Sequence, residues 1–187
     1  MNISKSKVAI LTSGGIDSTA CIHFYLKNKS NPTAFFIDYN QPSRLKEWNA
    51  IKRISEFYKI PLKKYRWLES EKKRSGLILG RNAFFLTSLL MEINYKFNIV
   101  ALGIHSGTNY IDCTEEFIQE MQNIYDIYTK GVISLGTPFI NWCKADIWKY
   151  CLDNKIPIEK TYSCELGLKQ PCGRCLSCKD LRELYAC

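Results

Sequence analysis

Two groups of residues in this sequence have the types and spacing to do chemistry. The first is Thr12-Ser13-Gly14-Gly15-Ile16-Asp17-Ser18-Thr19, which follows the apolar run Val8-Ala9-Ile10-Leu11. The run reads as a buried strand, and Ala20, Cys21, Phe24 and Tyr25 continue on a helical period. Strand, glycine turn and helix together make an anion site. Glycines let the backbone come close to a ligand. The amides that open the helix point outward, and its dipole favours negative charge there. Ser13, Ser18 and Thr19 add hydroxyl donors. The stretch therefore reads as a loop that grips the phosphates of a nucleotide. It departs from a Walker loop, which needs a Lys-Ser/Thr pair after its last glycine, because Ile16-Asp17 stands there. Asp17 beside phosphate calls for Mg²⁺ between them, since oxygen ligands suit that ion. The plainer alternative is a β-turn with Asp17 capping the helix.

The second group is Cys164, Cys172, Cys175 and Cys178, spaced C-x7-C-x2-C-x2-C, with Gly167, Pro171 and Gly173 suited to tight turns. Four thiolates so spaced can close a tetrahedral zinc site with no open coordination position, so the expected Zn²⁺ is structural. The rival is an iron–sulfur cluster. A ferredoxin run would continue x3-C-P, whereas Lys179-Asp180-Leu181-Arg182 follows here. The remaining cysteines, Cys21, Cys113, Cys143, Cys151 and Cys187, read as packing residues. Residues 1–7 are polar and carry no signal-peptide pattern, which favours metal over disulfides and a cytoplasmic setting.

The elements that must position these groups alternate along the chain. The first helix is expected over 16–29 and a second apolar strand over 33–37. The turn Asp38-Tyr39-Asn40-Gln41-Pro42 after that strand should face the ligand, because open α/β sheets bind ligands outside the carboxyl ends of their strands. Residues 44–58 read as a helix burying Leu45, Trp48, Ile51, Ile54 and Tyr58, and 62–67 as a strand. A polar surface loop is expected over 69–76. Gly80-Arg81-Asn82 then opens a buried helix over 83–97. Arg81 is disfavoured at a helix start unless an anion lies near; the alternative is an exposed side chain with its stem on apolar surface. A strand over 99–102 leads to a polar loop, 104–112, assigned to substrate recognition. His105 in that loop reads as a hydrogen-bonding residue in preference to a catalytic base. A helix over 114–130 with the stripe Phe117, Met121, Ile124 and Tyr128, a strand over 132–135 and a helix over 145–153 complete the pattern. Five alternating β units make a doubly wound α/β fold with a five-stranded parallel sheet.

The 187 residues are 46% hydrophobic and 24% charged, enough for a domain with a core of its own. No apolar run approaches the roughly 18 residues of a membrane helix. A formal charge of +8 suits nucleic acid or an anionic substrate such as ATP. The positive residues are dispersed. Their densest group, Lys63-Lys64, Arg66 and Lys72-Lys73-Arg74, reads as a solvated face, so nucleic acid is not the expected partner.

The loop Ser13-Gly14-Gly15-Ile16-Asp17-Ser18-Thr19 resembles the pyrophosphate loop of the ATP pyrophosphatases. With it come Asp38-Tyr39-Asn40-Gln41 and Glu47, Gly80-Arg81-Asn82 before Phe85-Leu86, and Tyr110-Ile111-Asp112-Cys113 before Phe117-Ile118. Thr137-Pro138 with Lys144 follows, and then Thr161-Tyr162-Ser163-Cys164 with the other three cysteines. Together, collinear from Val8 to Arg182, these resemble the 7-cyano-7-deazaguanine synthases of queuosine biosynthesis. The resemblance implies a fold like that of the adenine nucleotide alpha hydrolases, with a nucleotide domain at 1–160 and a zinc segment at 161–187. It implies a ligase that uses ATP and Mg²⁺ to adenylate the carboxylate of 7-carboxy-7-deazaguanine and, with ammonia, makes the nitrile. It implies phosphate binding by Thr12 to Thr19, catalytic roles for Asp17, Ser18, Arg81 and Lys144, and substrate contacts from Tyr39, Gln41, Asn82, Asn109 and Asp112. A homodimer is also implied.

The chain departs from that pattern in its short segment before Gly80 and its shorter 104–112 loop with Thr114 in place of arginine. Cys143 precedes Lys144 where threonine is usual, and Glu165 follows Cys164 where an aromatic is usual. Other readings follow from these departures. One is a paralogue that couples the same carboxylate to an amine on a protein partner. A second is a tRNA-modifying relative, for which the chain has no spare RNA-binding region. A third is a nucleotide-binding module without catalysis.

Overall fold

Four consecutive apolar residues, Val8-Ala9-Ile10-Leu11, have no polar face to turn to water, and all four are buried. The computed structural model describes residues 6–67, 78–93, 95–107 and 110–186. In chain order its elements are β1 (Lys7–Leu11), α1 (Ile16–Lys27), β2 (Asn31–Asp38), α2 (Arg44–Tyr58), β3 (Leu62–Arg66), α3 (Arg81–Ile93), β4 (Ile99–Leu102), α4 (Glu115–Thr129), β5 (Ser134–Gly136), α5 (Lys144–Asp153) and α6 (Leu176–Ala186). The strands form one sheet in the order β3-β2-β1-β4-β5, and every pairing is parallel.

Side chains alternate across a strand, and this sorts the core into two layers. Val8, Ile10, Ala34 and Phe36 pack with Ile22 of α1, Ile51 and Ile54 of α2 and Ile147 of α5. Ala9, Leu11, Phe35 and Ile37 pack with Leu86, Leu89 and Ile93 of α3 and Met121 and Tyr125 of α4. The chain winds outward from β1 to β3, then crosses back to β4 on the other side of β1. The switch point therefore lies between the carboxyl ends of β1 and β4, where this fold leaves a crevice.

Several boundaries differ from the sequence expectation. Helix α1 stops at Lys27, and Lys29 takes a left-handed φ of 58°. Helix α3 starts at Arg81 and ends at Ile93, so Asn82 lies inside its first turn and Phe97 beyond its end. The last strand is Ser134–Gly136, two residues later than expected, because Gly131 at φ 73° and the exposed Val132 belong to the turn out of α4. Leu45 and Tyr128 were expected in buried stripes but are 63% and 67% exposed. In α4 the buried side is Met121, Tyr125 and Thr129. Tyr125 takes the inner position because its hydroxyl reaches the Leu86 carbonyl oxygen at 2.7 Å, which satisfies its polar end. Helix α6 was not anticipated. Cys143 is exposed, not packed: it precedes α5, and its N–H donates to the Asp146 carboxylate at 2.8 Å.

On the edge strand β3, Lys63 and Arg66 are exposed and Lys64 is partly buried. Lys64 and Arg66 pair with Asp38 at 3.0 and 3.5 Å, and the Lys63 ammonium lies 5.5 Å from the Phe35 ring centre. The expected loop 69–76, with Lys72-Lys73-Arg74, lies outside the described residues. Among those described, no helix is long and apolar enough to cross a membrane. Tyr125→Phe removes the buried hydroxyl that bonds the Leu86 carbonyl. It should cost about 1–2 kcal/mol and lower the melting temperature by roughly 2–6 °C, readable by circular dichroism.

Candidate functional site

The turn between β1 and α1 is built so that only glycine fits its bend. Gly14 has φ 74°, and a Cβ there would come within 2.8 Å of the Glu47 carbonyl oxygen in α2. The next residue, Gly15, precedes α1 and offers it no side-chain cap. The first turn of α1 thus opens with backbone donors, at the positive end of the helix dipole. Three hydroxyls of this stretch bond main-chain carbonyls: Ser18 and Thr19 donate to the Gly15 carbonyl at 3.0 and 2.8 Å, and Thr12 donates to the Phe35 carbonyl at 3.3 Å. Ser13 Oγ accepts from the Gly15 amide at 3.3 Å. A cavity of about 340 Å³ opens over this turn, lined there by Thr12, Ser13, Gly15, Ile16, Asp17 and Ser18. Gly14 and Thr19 lie behind it, and Thr19 is fully buried.

Asp17 carries the charge at this helix start. Lys144, first residue of α5, crosses the crevice and places its ammonium 2.5 Å from both Asp17 oxygens. His105, after β4, completes the group with Nε2 4.0 Å from the same carboxylate. Its Nδ1 accepts from the Gly107 amide at 3.1 Å, which leaves the proton of the neutral ring on Nε2, facing Asp17. Burial holds the His105 pKa below 6.5, against the pull of Asp17 and with the help of Lys144. His105 is thus a neutral, hydrogen-bonding neighbour.

The opposite wall comes from the end of β2 and the start of α3. Tyr39, Gln41, Glu47, Arg81, Asn82, Tyr110 and Asp112 all line the cavity. Gln41 is buried, and its amide holds the turn: the oxygen accepts from the Tyr39 N–H at 3.0 Å, and the nitrogen donates to Glu47 at 2.8 Å. Glu47 also accepts from Ser43 at 2.6 Å. Burial pushes its carboxyl pKa up, opposed by those two hydrogen bonds and by the charge of Arg81. Asp112 receives the Asn82 amide at 3.3 Å, and the Asn82 side chain donates to the Asp112 carbonyl at 3.0 Å. The Asp112 carboxylate thus sits at the positive end of the α3 dipole, while the carboxyl that feels the charge of Arg81 is Glu47. Asn109 lies outside the described residues.

The four cysteine sulfurs lie within 4.8 Å of one another. Thiolates about 2.3 Å from a tetrahedral ion sit roughly 3.8 Å apart, and the Cys172 and Cys178 sulfurs are separated by 3.9 Å. Main-chain amides of Arg174 and Cys175 draw the Cys172 pKa down to about 6, toward the thiolate a metal requires. The donor set therefore fits a metal ion. Sequence reading did not foresee that this segment also lines the cavity, through Tyr162, Ser163, Glu165, Ser177 and Asp180. The available signal was the Thr161-Tyr162-Ser163 run directly before Cys164.

A family model described as queuosine biosynthesis protein QueC matches residues 61–186. A 7-cyano-7-deazaguanine synthase of Prochlorococcus marinus (strain MIT 9301) is 27% identical over 215 residues, covering 99% of this chain and 96% of that protein. That alignment exceeds the 187 residues of this chain, so the relative carries residues this chain lacks. Among solved structures, the U34-tRNA thiolase NcsA from Methanococcus maripaludis, described with its 4Fe-4S cluster, shares the fold. It superposes with a TM-score of 0.61 at 17% identity, over 98% of this chain and 65% of that one. NMN synthetase from Francisella tularensis gives 0.55 at 20% identity, over 92% and 73% of the two chains.

Since the folded state holds His105 below its ordinary pKa of 6.5, the unfolded chain binds a proton that the folded chain refuses. Stability should therefore fall as pH drops through about 6.5, and His105→Gln should flatten that part of the profile in denaturant melts. His23, also lowered by burial, accounts for a remaining slope. Stripping metal from the cysteine cluster with a chelator should lower the melting temperature. Cys175→Ser should lower it without the chelator and remove the chelator's further effect.

Proposed function

The chain belongs to the QueC family of queuosine biosynthesis proteins, and on that premise we propose that it is an ATP-dependent ligase converting 7-carboxy-7-deazaguanine and ammonia to 7-cyano-7-deazaguanine. One observation supports this most: a single cavity holds the β1–α1 phosphate turn with Asp17 and Lys144 on one side, and Tyr39, Glu47, Arg81 and Asp112 on the other. A triphosphate over the turn and a planar acid against the far wall meet between them.

The chemistry asks for position and charge more than for a protein nucleophile. A carboxylate oxygen of the substrate attacks the innermost phosphorus of ATP, and pyrophosphate leaves. Ammonia attacks the resulting acyl adenylate and expels AMP, giving the amide. The amide oxygen then attacks a second ATP, again releasing pyrophosphate. Loss of AMP and the remaining N–H protons leaves the nitrile. In this reading the α1 amides and Ser13 hold phosphate oxygens, with Thr12, Ile16 and Ser18 shaping the turn around them. Lys144 and Arg81 offset the charge of the departing pyrophosphate. Tyr39, Gln41, Asn82 and Asp112 shape the acid's pocket. Mg²⁺, when bound, would neutralise phosphate charge, and Asp17 is the carboxylate that would hold it.

We assign zinc to the cysteines. Sulfurs within 4.8 Å of one another suit a single tetrahedral ion, whereas a four-iron cube spreads its thiolates over separate corners. With all four positions filled by protein, the ion is structural.

Purified chain given ATP, Mg²⁺, 7-carboxy-7-deazaguanine and an ammonium salt should release AMP and pyrophosphate and form the nitrile, followed by mass spectrometry. No AMP with any of these present refutes the proposal, and AMP that appears only with a different amine refutes its choice of acceptor. Asp17→Ala should abolish AMP formation without loss of helix signal. Lys144→Met should reduce the rate about 10²–10³-fold, the scale of one lost charge-stabilising group.

A further inference from the structure

Cys164 sits between two contacts that reach different turns of the cavity. Two residues before it, the Tyr162 amide donates to the Gly14 carbonyl at 2.9 Å. The Tyr162 carbonyl and Ser163 hydroxyl lie over the same turn, 3.7 and 3.9 Å from where a Cβ on Gly15 would stand. Three residues after Cys164, Gly167 at φ 67° presses against the turn that follows β2. A Cβ there would fall 2.3 Å from the Pro42 carbonyl oxygen. That turn carries Gln41 and Ser43, the hydrogen-bond partners of Glu47. Glu165 accepts from the Ser177 hydroxyl at 3.2 Å and its amide at 3.4 Å, which fastens the first turn of α6 to the same loop.

Apart from Leu181, which packs partly buried against the core, little apolar burial holds this segment in place. Among the described side chains of 161–184, only those of Cys164 and Cys178 are buried. The path of the chain between its contacts is therefore set by where the sulfurs converge, and a metal ion fixes that convergence. We infer that the four-cysteine segment is a wall of the nucleotide pocket, and that metal on the cysteines and nucleotide on the Gly14–Gly15 turn tighten each other's binding. The inference rests on the nucleotide reading above. Coupling of this kind is reciprocal: whatever factor the metal adds to nucleotide affinity, nucleotide adds to metal affinity.

The test uses the full chain with its metal content measured by elemental analysis. The chain is treated with iodoacetamide, and alkylation of Cys172 and Cys175 is followed by peptide mass spectrometry. Parallel samples contain α,β-methylene-ATP at a concentration that equilibrium dialysis shows to be saturating. A ligating thiol becomes reactive when the metal leaves it. Bound analogue should slow alkylation at least about fivefold, the lower end of typical coupling between sites. Equal rates with the analogue bound overturn the inference while leaving the nucleotide site standing. Absence of analogue binding in the dialysis overturns the nucleotide reading and the inference with it, and a chain that purifies without metal overturns the inference alone.

Discussion

The parallel pairing of β1 with β2 on one side and with β4 on the other is the constraint on which the site depends. Parallel neighbours cannot be joined by a tight hairpin, so each link needs a crossover, and the crossovers here are helices. Because β1 is central and the chain returns to it at β4, the turns after these two strands diverge to opposite faces and leave a crevice. Asp17 stands on one lip and His105 on the other, 4.0 Å apart at their closest ionisable atoms. A strand order that ran without reversal would place a covering helix there instead.

Charge in the crevice is arranged in opposed pairs. Lys144 pairs with Asp17, Arg81 stands near Glu47 and Tyr39, and His105 stays uncharged. Opposed charges at close range let the cavity hold these ionisable side chains at less than the penalty of isolated buried charges. An incoming polyanion with its own cation can then exchange partners within the site rather than strip water from bare charges.

The strands and most helices were legible in the sequence because their signal is local. Val8-Ala9-Ile10-Leu11 has no polar face, and Gly14-Gly15 marks a bend that few other residues could make. What was not legible depends on partners distant in the chain. Tyr125 outranks Tyr128 for the core only because Leu86, 39 positions away, offers an acceptor. That the Ser18 and Thr19 hydroxyls both bond the Gly15 carbonyl follows from where that carbonyl stands, not from residue type. The cysteine spacing announced a metal site, but its place against the phosphate turn required the Tyr162 to Gly14 hydrogen bond, across nearly the whole chain.

The margins of the sheet have a consequence of their own. One margin is β3, whose five residues include Lys63, Lys64 and Arg66, with two of those cations gripping Asp38 of the neighbouring strand. The other is β5, only three residues long. Unpaired main-chain groups at such borders are the usual template on which a stranger's strand is added. A cationic border on one side and a truncated one on the other leave the folded sheet little strand on which such an addition could start.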